Sequence, residues 1–100
     1  MNIIETPIKD LLILEPKVFG DSRGYFFEAF NEKILSEKGI NIKFVQDNQS
    51  SSCYGVVRGL HYQKDPKAQT KLVRVLEGSI YDVAVDCRKG SPSYGKWFLY

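Results

Sequence analysis

Apolar and polar residues alternate along most of this chain at the two-residue period of β-strands. Leu11 to Val18 and Gly24 to Phe30 read as strand, turn, strand, with Phe19-Gly20-Asp21-Ser22-Arg23-Gly24 supplying the turn chemistry. Further strands are predicted at Lys43 to Asp47, Gly55 to Gln63, Thr70 to Leu76 and Ser79 to Asp86, the last two joined by a short turn at Glu77-Gly78. One short helix interrupts them: Asn31 caps it, Glu32 and Lys33 open it, Ile34 and Leu35 give it an apolar side, and Gly39 ends it. The pattern is that of an all-β, mainly antiparallel sandwich or jelly roll, because helices able to cover a parallel sheet are missing.

Gly95 to Tyr100 also reads as a strand, and the sequence stops inside it. An unpaired apolar edge of this kind invites pairing with more chain or with another copy. The expectation is an incomplete jelly roll, the N-terminal portion of a longer protein or one completed by a second subunit.

Composition narrows the class. With 100 residues, 43% hydrophobic and 26% charged, residues 1–100 describe a single domain small enough to benefit from oligomerisation. A net charge of +2 without any block of Lys or Arg lacks the footprint of a duplex-binding protein, so no nucleic-acid partner is expected. Met1-Asn2-Ile3-Ile4-Glu5 lacks the apolar core of a signal peptide, and no apolar run approaches the roughly 20 residues of a membrane span. A soluble, cytoplasmic protein with no membrane partner follows as the expectation, and in that reducing compartment Cys53 and Cys87 stay free thiols. One histidine and two scattered cysteines are too few for a conventional zinc site, and Gln63 stands where a second imidazole would be wanted, so no metal is predicted.

Candidate chemistry centres on Arg58-Gly59-Leu60-His61-Tyr62-Gln63, which sets the lone histidine beside an arginine and an amide. An imidazole titrates near neutral pH and so suits proton transfer. Two similar tracts, Phe44-Val45-Gln46-Asp47-Asn48 and Gln69-Thr70-Lys71-Leu72-Val73-Arg74, embed polar groups in apolar alternation, which implies a lined cavity. Strict alternation puts His61 on one strand face with Gly59 and Gln63, and Arg58 on the other with Leu60 and Tyr62, unless a bulge near Gly59 intervenes. Lys71 shares a face with Val73 and Val75 and suits a cavity mouth. Each has a plainer reading. A lone strand histidine is usually structural, Lys71 and Arg74 fit a solvated face, and Tyr25, Phe26, Phe27 and Phe30 fit a core or interface. Asp82 is either a buried partner or a strand-end acid.

These tracts carry a resemblance. Phe19-Gly-Asp-Ser-Arg-Gly-Tyr-Phe-Phe-Glu28, Phe44 to Asn48, Val57 to Gln63, Gln69 to Arg74 and Asp82 to Arg88 resemble, in order, the signature of the dTDP-4-dehydrorhamnose 3,5-epimerases, over roughly the first half of a typical member. The resemblance implies a cupin-type jelly roll that dimerises by exchanging N-terminal strands. It implies work without cofactor or metal, in dTDP-L-rhamnose biosynthesis. It also implies that Arg23, Glu28, Gln46, Asp47, Asn48, Arg58 and Lys71 line a sugar-nucleotide site with His61 as the catalytic base. The proton-donating tyrosine and the aspartate that orients the histidine belong to the family's second half, beyond Tyr100, so the 100-residue segment alone is expected to be inactive.

The chemistry accounts for these residue types. Removing a hydrogen beside the carbonyl of a 4-keto sugar leaves an enolate, which needs a base such as His61 and a cation such as Lys71 at the oxygen. A diphosphate suits the guanidinium forks of Arg23 and Arg58, the amides and Glu28 can meet sugar or base edges, and Phe26 or Phe27 can stack on thymine. The same residues are compatible with a related 3-epimerase or ketoisomerase of dTDP-deoxysugars, and with a non-catalytic sugar-nucleotide-binding β-domain.

Overall fold

A computed structural model describes every residue from Met1 to Tyr100. It is nearly all β, with strands β1 (Asn2–Glu5), β2 (Leu12–Glu15), β3 (Phe19–Asp21) and β4 (Gly24–Phe26), then helix α1 (Glu32–Glu37), then β5 (Val83–Val85) and β6 (Trp97–Leu99). The strands form three separate two-stranded antiparallel sheets, β1 with β2, β3 with β4 and β5 with β6. The predicted antiparallel character is therefore present, but the strand-turn-strand reading of residues 11–30 is corrected: the Leu11 to Val18 tract supplies β2, which pairs with β1 and not with the strand that opens at Gly24. Phe19 to Asp21 belongs to a strand, paired Phe19 to Phe26 and Asp21 to Gly24, so the turn shrinks to Ser22-Arg23.

Strand β1 has no counterpart in the sequence reading, since four residues are too few to show a period. It is held in register by its partner, Asn2 facing Glu15 and Glu5 facing Leu12. The connection is organised by Thr6, whose Oγ1 donates towards the carbonyls of Leu11 (2.9 Å) and Ile8 (3.1 Å) and accepts from the Ile8 N–H (3.2 Å). Ile8 is thereby turned inward and is buried.

Helix α1 follows its sequence signals closely. The Asn31 side-chain oxygen accepts from the Ile34 N–H at 3.2 Å, satisfying one of the N-terminal donors that no helical carbonyl can reach. At the other end Gly39, with φ +83°, lets the chain reverse. Its N–H reaches the Ser36 carbonyl and that of Ile40 reaches Leu35, both at 2.9 Å, the paired bonds of a Schellman ending. Leu35 is the helix residue that becomes buried.

The middle of the chain departs from expectation. Lys43 to Asp47, Gly55 to Gln63 and Thr70 to Leu76 form no strands, and Ser79 to Asp86 is reduced to β5. The local backbone bonds between residues 43 and 78 are turns, Val56 N–H to the Cys53 carbonyl at 3.4 Å and Lys67 N–H to the Lys64 carbonyl at 2.8 Å. The reason is physical: alternation reports which side of a strand faces a core, but a ladder requires a partner, and no segment of these 100 residues supplies one. Val45, Val57, Leu60, Val73, Leu76, Ile80 and Tyr81 are consequently exposed. At the expected turn Glu77-Gly78 the glycine has a positive φ, but no ladder flanks it. The Gly95 to Tyr100 tract, expected to present an unpaired edge, is paired on one side. Val83 faces Leu99, Val85 faces Trp97, and Asp82 and Tyr100 exchange two further backbone bonds of 3.0 Å.

The tightest polar packing lies in the loop that connects β5 to β6. Asp86, with its side chain fully buried, accepts from the Arg88 N–H (3.0 Å), Arg88 Nε (2.9 Å), Arg88 Nη2 (3.1 Å), Ser91 Oγ (2.5 Å) and Ser93 Oγ (2.7 Å). The same guanidinium reaches back to the other end of the sequence, donating to Asp10 Oδ2 (2.8 Å) and the Lys9 carbonyl (2.7 Å). Arg88, then Ser91 and Ser93, hold the Asp86 carboxyl well below the usual carboxylate range, and Asp86 with Asp10 raises Arg88. A carboxyl depressed in the folded state contributes stability above its unfolded value of 3.8, and that contribution is lost as pH falls below it. Denaturation midpoints measured from pH 7 to pH 2 are therefore expected to drop through the acid range, and Asp86→Asn is expected to lower the neutral midpoint and flatten that part of the slope. An unchanged acid slope in the variant would show that other carboxyls carry it.

Candidate functional site

The eight candidate side chains are all exposed in this structure, so the lined cavity expected from their alternation is not formed within these 100 residues. Arg23 projects from the β3–β4 turn, where Asp21 holds it. The Asp21 carboxylate accepts the Arg23 backbone N–H at 2.8 Å and grips the guanidinium through Nη2 (2.6 Å) and Nε (3.2 and 3.3 Å). That contact lowers the Asp21 carboxyl and raises Arg23. Glu28 follows two residues after β4, beside Phe27, whose ring stacks on Tyr25 at 5.9 Å and carries the Arg74 guanidinium 5.9 Å from its centroid. The contact with Arg74 joins the Arg23–Glu28 tract to the tract that bears Lys71.

Gln46 and Asn48 are brought together, Gln46 Nε2 donating to Asn48 Oδ1 at 3.2 Å, with Asp47 exposed between them. Arg58 folds back on its own neighbourhood, Nε to Ser52 Oγ at 3.0 Å and Nη2 to the Ser51 carbonyl at 3.1 Å. No hydrogen bond or ion pair joins His61 to Lys71 or to either candidate arginine. Asp82 is exposed and closes the β5–β6 ladder through its backbone, which favours the strand-end reading over the buried one. Two open grooves flank the β1–β2 hairpin, one lined by Met1, Asn2, Glu15, Pro16, Lys17 and Val18, the other by Ile3, Glu5, Leu12, Lys38 and Ile40 with Asn2 shared. Neither contains a candidate residue. No three His, Cys, Asp or Glu side chains gather closely enough to hold a metal ion, and both cysteines are free and exposed.

With no ladder through the tract from Arg58 to His61 the two-face alternation is not imposed, and Gly59 adopts φ +125°, a conformation reserved for glycine. Sequence reasoning gave Asp86 no role of its own and Asp21 only a place in a turn. Both were signalled by the same local spacing, Asp-x-Arg, in which the aspartate accepts the backbone N–H and the side chain of the arginine two residues on.

Comparison with known proteins is unambiguous about kinship. The family model described as dTDP-4-dehydrorhamnose 3,5-epimerase matches residues 5–100. The chain is 60% identical over 98 residues to the dTDP-4-dehydrorhamnose 3,5-epimerase of Shigella flexneri, covering 97% of this chain and 54% of that protein. Among solved structures it is similar to the enzyme of that name from Bacillus anthracis, crystallised with TDP and PPi bound, with a TM-score of 0.93 and 53% identity over 99% of this chain and 57% of that one. The enzyme from Elizabethkingia anophelis gives a TM-score of 0.91 and 53% identity over 100% of this chain and 55% of that one. The chain thus spans about half the length of the curated relatives it matches.

One consequence of the backbone is directly measurable. A Cβ at position 59 would meet nothing closer than the His61 backbone nitrogen at 3.9 Å, so Gly59→Ala is sterically open but conformationally strained. It is expected to cost roughly 1–3 kcal/mol, read as a lower denaturation midpoint. A neutral or stabilising effect would mean that the residue does not hold a positive φ.

Proposed function

The chain belongs to the dTDP-4-dehydrorhamnose 3,5-epimerase family, and from that premise we propose that it acts in dTDP-L-rhamnose biosynthesis, converting dTDP-4-dehydro-6-deoxy-D-glucose to dTDP-4-dehydro-L-rhamnose. The family match across nearly the whole chain carries this reading. The TDP and PPi bound to the similar Bacillus anthracis enzyme support a nucleotide-sugar ligand. In the same reading the three antiparallel hairpins belong to a cupin-type jelly roll whose single domain includes residues 1–100. The protein works in the cytoplasm as a homodimer exchanging N-terminal strands. The free outer edges of the β1–β2 hairpin support that mode of association.

The reaction moves protons only. His61 removes the hydrogen at carbon 3 or carbon 5, the carbon–hydrogen electron pair becomes the enolate π bond, and negative charge collects on the carbon-4 oxygen. Lys71 stabilises that oxygen as a compact cation. A proton returned to the opposite ring face completes the inversion, so each cycle balances without an oxidant or reductant. Arg23 and Arg58 bind the diphosphate, while Gln46, Asp47, Asn48 and Glu28 meet the sugar and base edges.

Incubating the intact protein, as its gene encodes it, with substrate in deuterated water is expected to place label at carbons 3 and 5. Label at carbon 3 alone identifies a 3-epimerase, and a transposed ketone identifies a ketoisomerase. Absence of any label with retained TDP binding identifies a non-catalytic binding domain. His61→Asn is expected to slow exchange about 10²- to 10⁴-fold with TDP binding retained. Arg58→Ala is expected to weaken TDP binding about tenfold or more, as removal of a charge-assisted contact should, measured by calorimetry, and an unchanged affinity would remove Arg58 from the diphosphate site.

A further inference from the structure

The chain has four arginines, and the structure gives each different company. Arg88 is consumed between Asp86 and Asp10, Arg58 bonds to the Ser51–Ser52 segment, and Arg74 rests on Phe27. Arg23 alone stands on a two-residue turn, clasped from one side by the carboxylate of Asp21, the last residue of β3. The clasp is one-sided. Asp21 takes Nε and one N–H of Nη2, the lateral edge of the guanidinium, whereas a planar guanidinium has five N–H donors, four of which form two such edges. The end-on edge, formed by Nη1 and the second N–H of Nη2, is left for an external acceptor. Because Asp21 also accepts the Arg23 backbone N–H at 2.8 Å, the carboxylate is itself fixed by the turn and cannot follow the guanidinium if that swings away.

We propose that Asp21 is a positioning residue for the nucleotide-sugar site: it orients Arg23 so that the free edge of the guanidinium meets a phosphate oxygen pair bidentately. This rests on the reading of Arg23 as a diphosphate ligand given above. Exposed ion pairs are weak on average because two long side chains must be ordered to meet. Here the aspartate is short, the partners are two residues apart, and a backbone bond has already fixed the acceptor, so little further freedom is lost. An arginine held in one orientation binds its anion without first giving up its rotamers, and this preorganisation outweighs the partial neutralisation by Asp21.

A double-mutant cycle tests this, with TDP as the probe and the intact protein titrated by calorimetry. Asp21→Asn retains a side-chain oxygen to accept the Arg23 backbone N–H, so the turn survives, while the grip on the guanidinium is lost. It is expected to weaken TDP binding roughly three- to fivefold, and to raise KM by a similar factor with kcat little changed. In an Arg23→Ala background the same substitution is expected to have no effect. Unchanged or tighter TDP binding by Asp21→Asn would overturn the proposal, since Asp21 would then be idle or merely a competing counter-charge. Equal weakening in both backgrounds would overturn it too, because Asp21 would act on the turn and not through Arg23. If Arg23→Ala by itself leaves TDP affinity intact, the diphosphate reading of Arg23 fails first and the proposal falls with it.

Discussion

A single buried carboxylate anchors the long-range organisation of this chain. Asp86 collects the Arg88 guanidinium, the Arg88 backbone N–H and two serine hydroxyls, which together meet the need of a charge taken out of water. With its lateral edge committed to Asp86, Arg88 is rigid enough to reach Asp10 and the Lys9 carbonyl. The β1–β2 hairpin and the β5–β6 hairpin, from opposite ends of the sequence, are joined through that one residue. Few apolar residues are buried, Ile8 and Leu35 foremost, so this polar junction counts for more here than it would in a domain with a large core.

The same Asp-x-Arg geometry appears at Asp21–Arg23 with the opposite exposure, and the difference decides what each can do. Asp86 is buried and surrounded, so its arginine is committed to architecture. Asp21 and Arg23 are open to solvent, and the guanidinium keeps donors to spare. Burial turns one copy of a local pattern into a fastener and leaves the other free for recognition.

What could be read from sequence divides by the range of the interactions involved. The helix was legible to the residue at both ends because Asn31 and Gly39 act within a few positions of themselves. The β3–β4 hairpin was legible only as a turn region, because its strands are three residues each and the longer apolar tract before it finds its partner in β1. The tracts at 43–47, 55–63 and 70–76 have strand-like alternation but no ladder, since pairing depends on residues outside the tract and alternation carries no information about them. Family membership was legible through the order of five short tracts, which fall within the match of the family model to residues 5–100. Contacts were not: that Gln46 meets Asn48, that Arg74 lies over Phe27 and that Asp21 holds Arg23 follow from side-chain geometry that spacing does not encode.

The Schellman ending, the Asx-like turn at Asp21 and the serine ring around Asp86 share the property of counting residues. Between Arg88 and Ser93 this is most severe, because the arginine and both hydroxyls must converge on one carboxylate from a stretch of chain with no slack. Length variation should therefore be unevenly distributed along the fold. Inserting or deleting a residue at Lys89-Gly90 would pull Ser91 and Ser93 out of reach of their acceptor, whereas the exposed turn around Asp65-Pro66 offers room for extra residues.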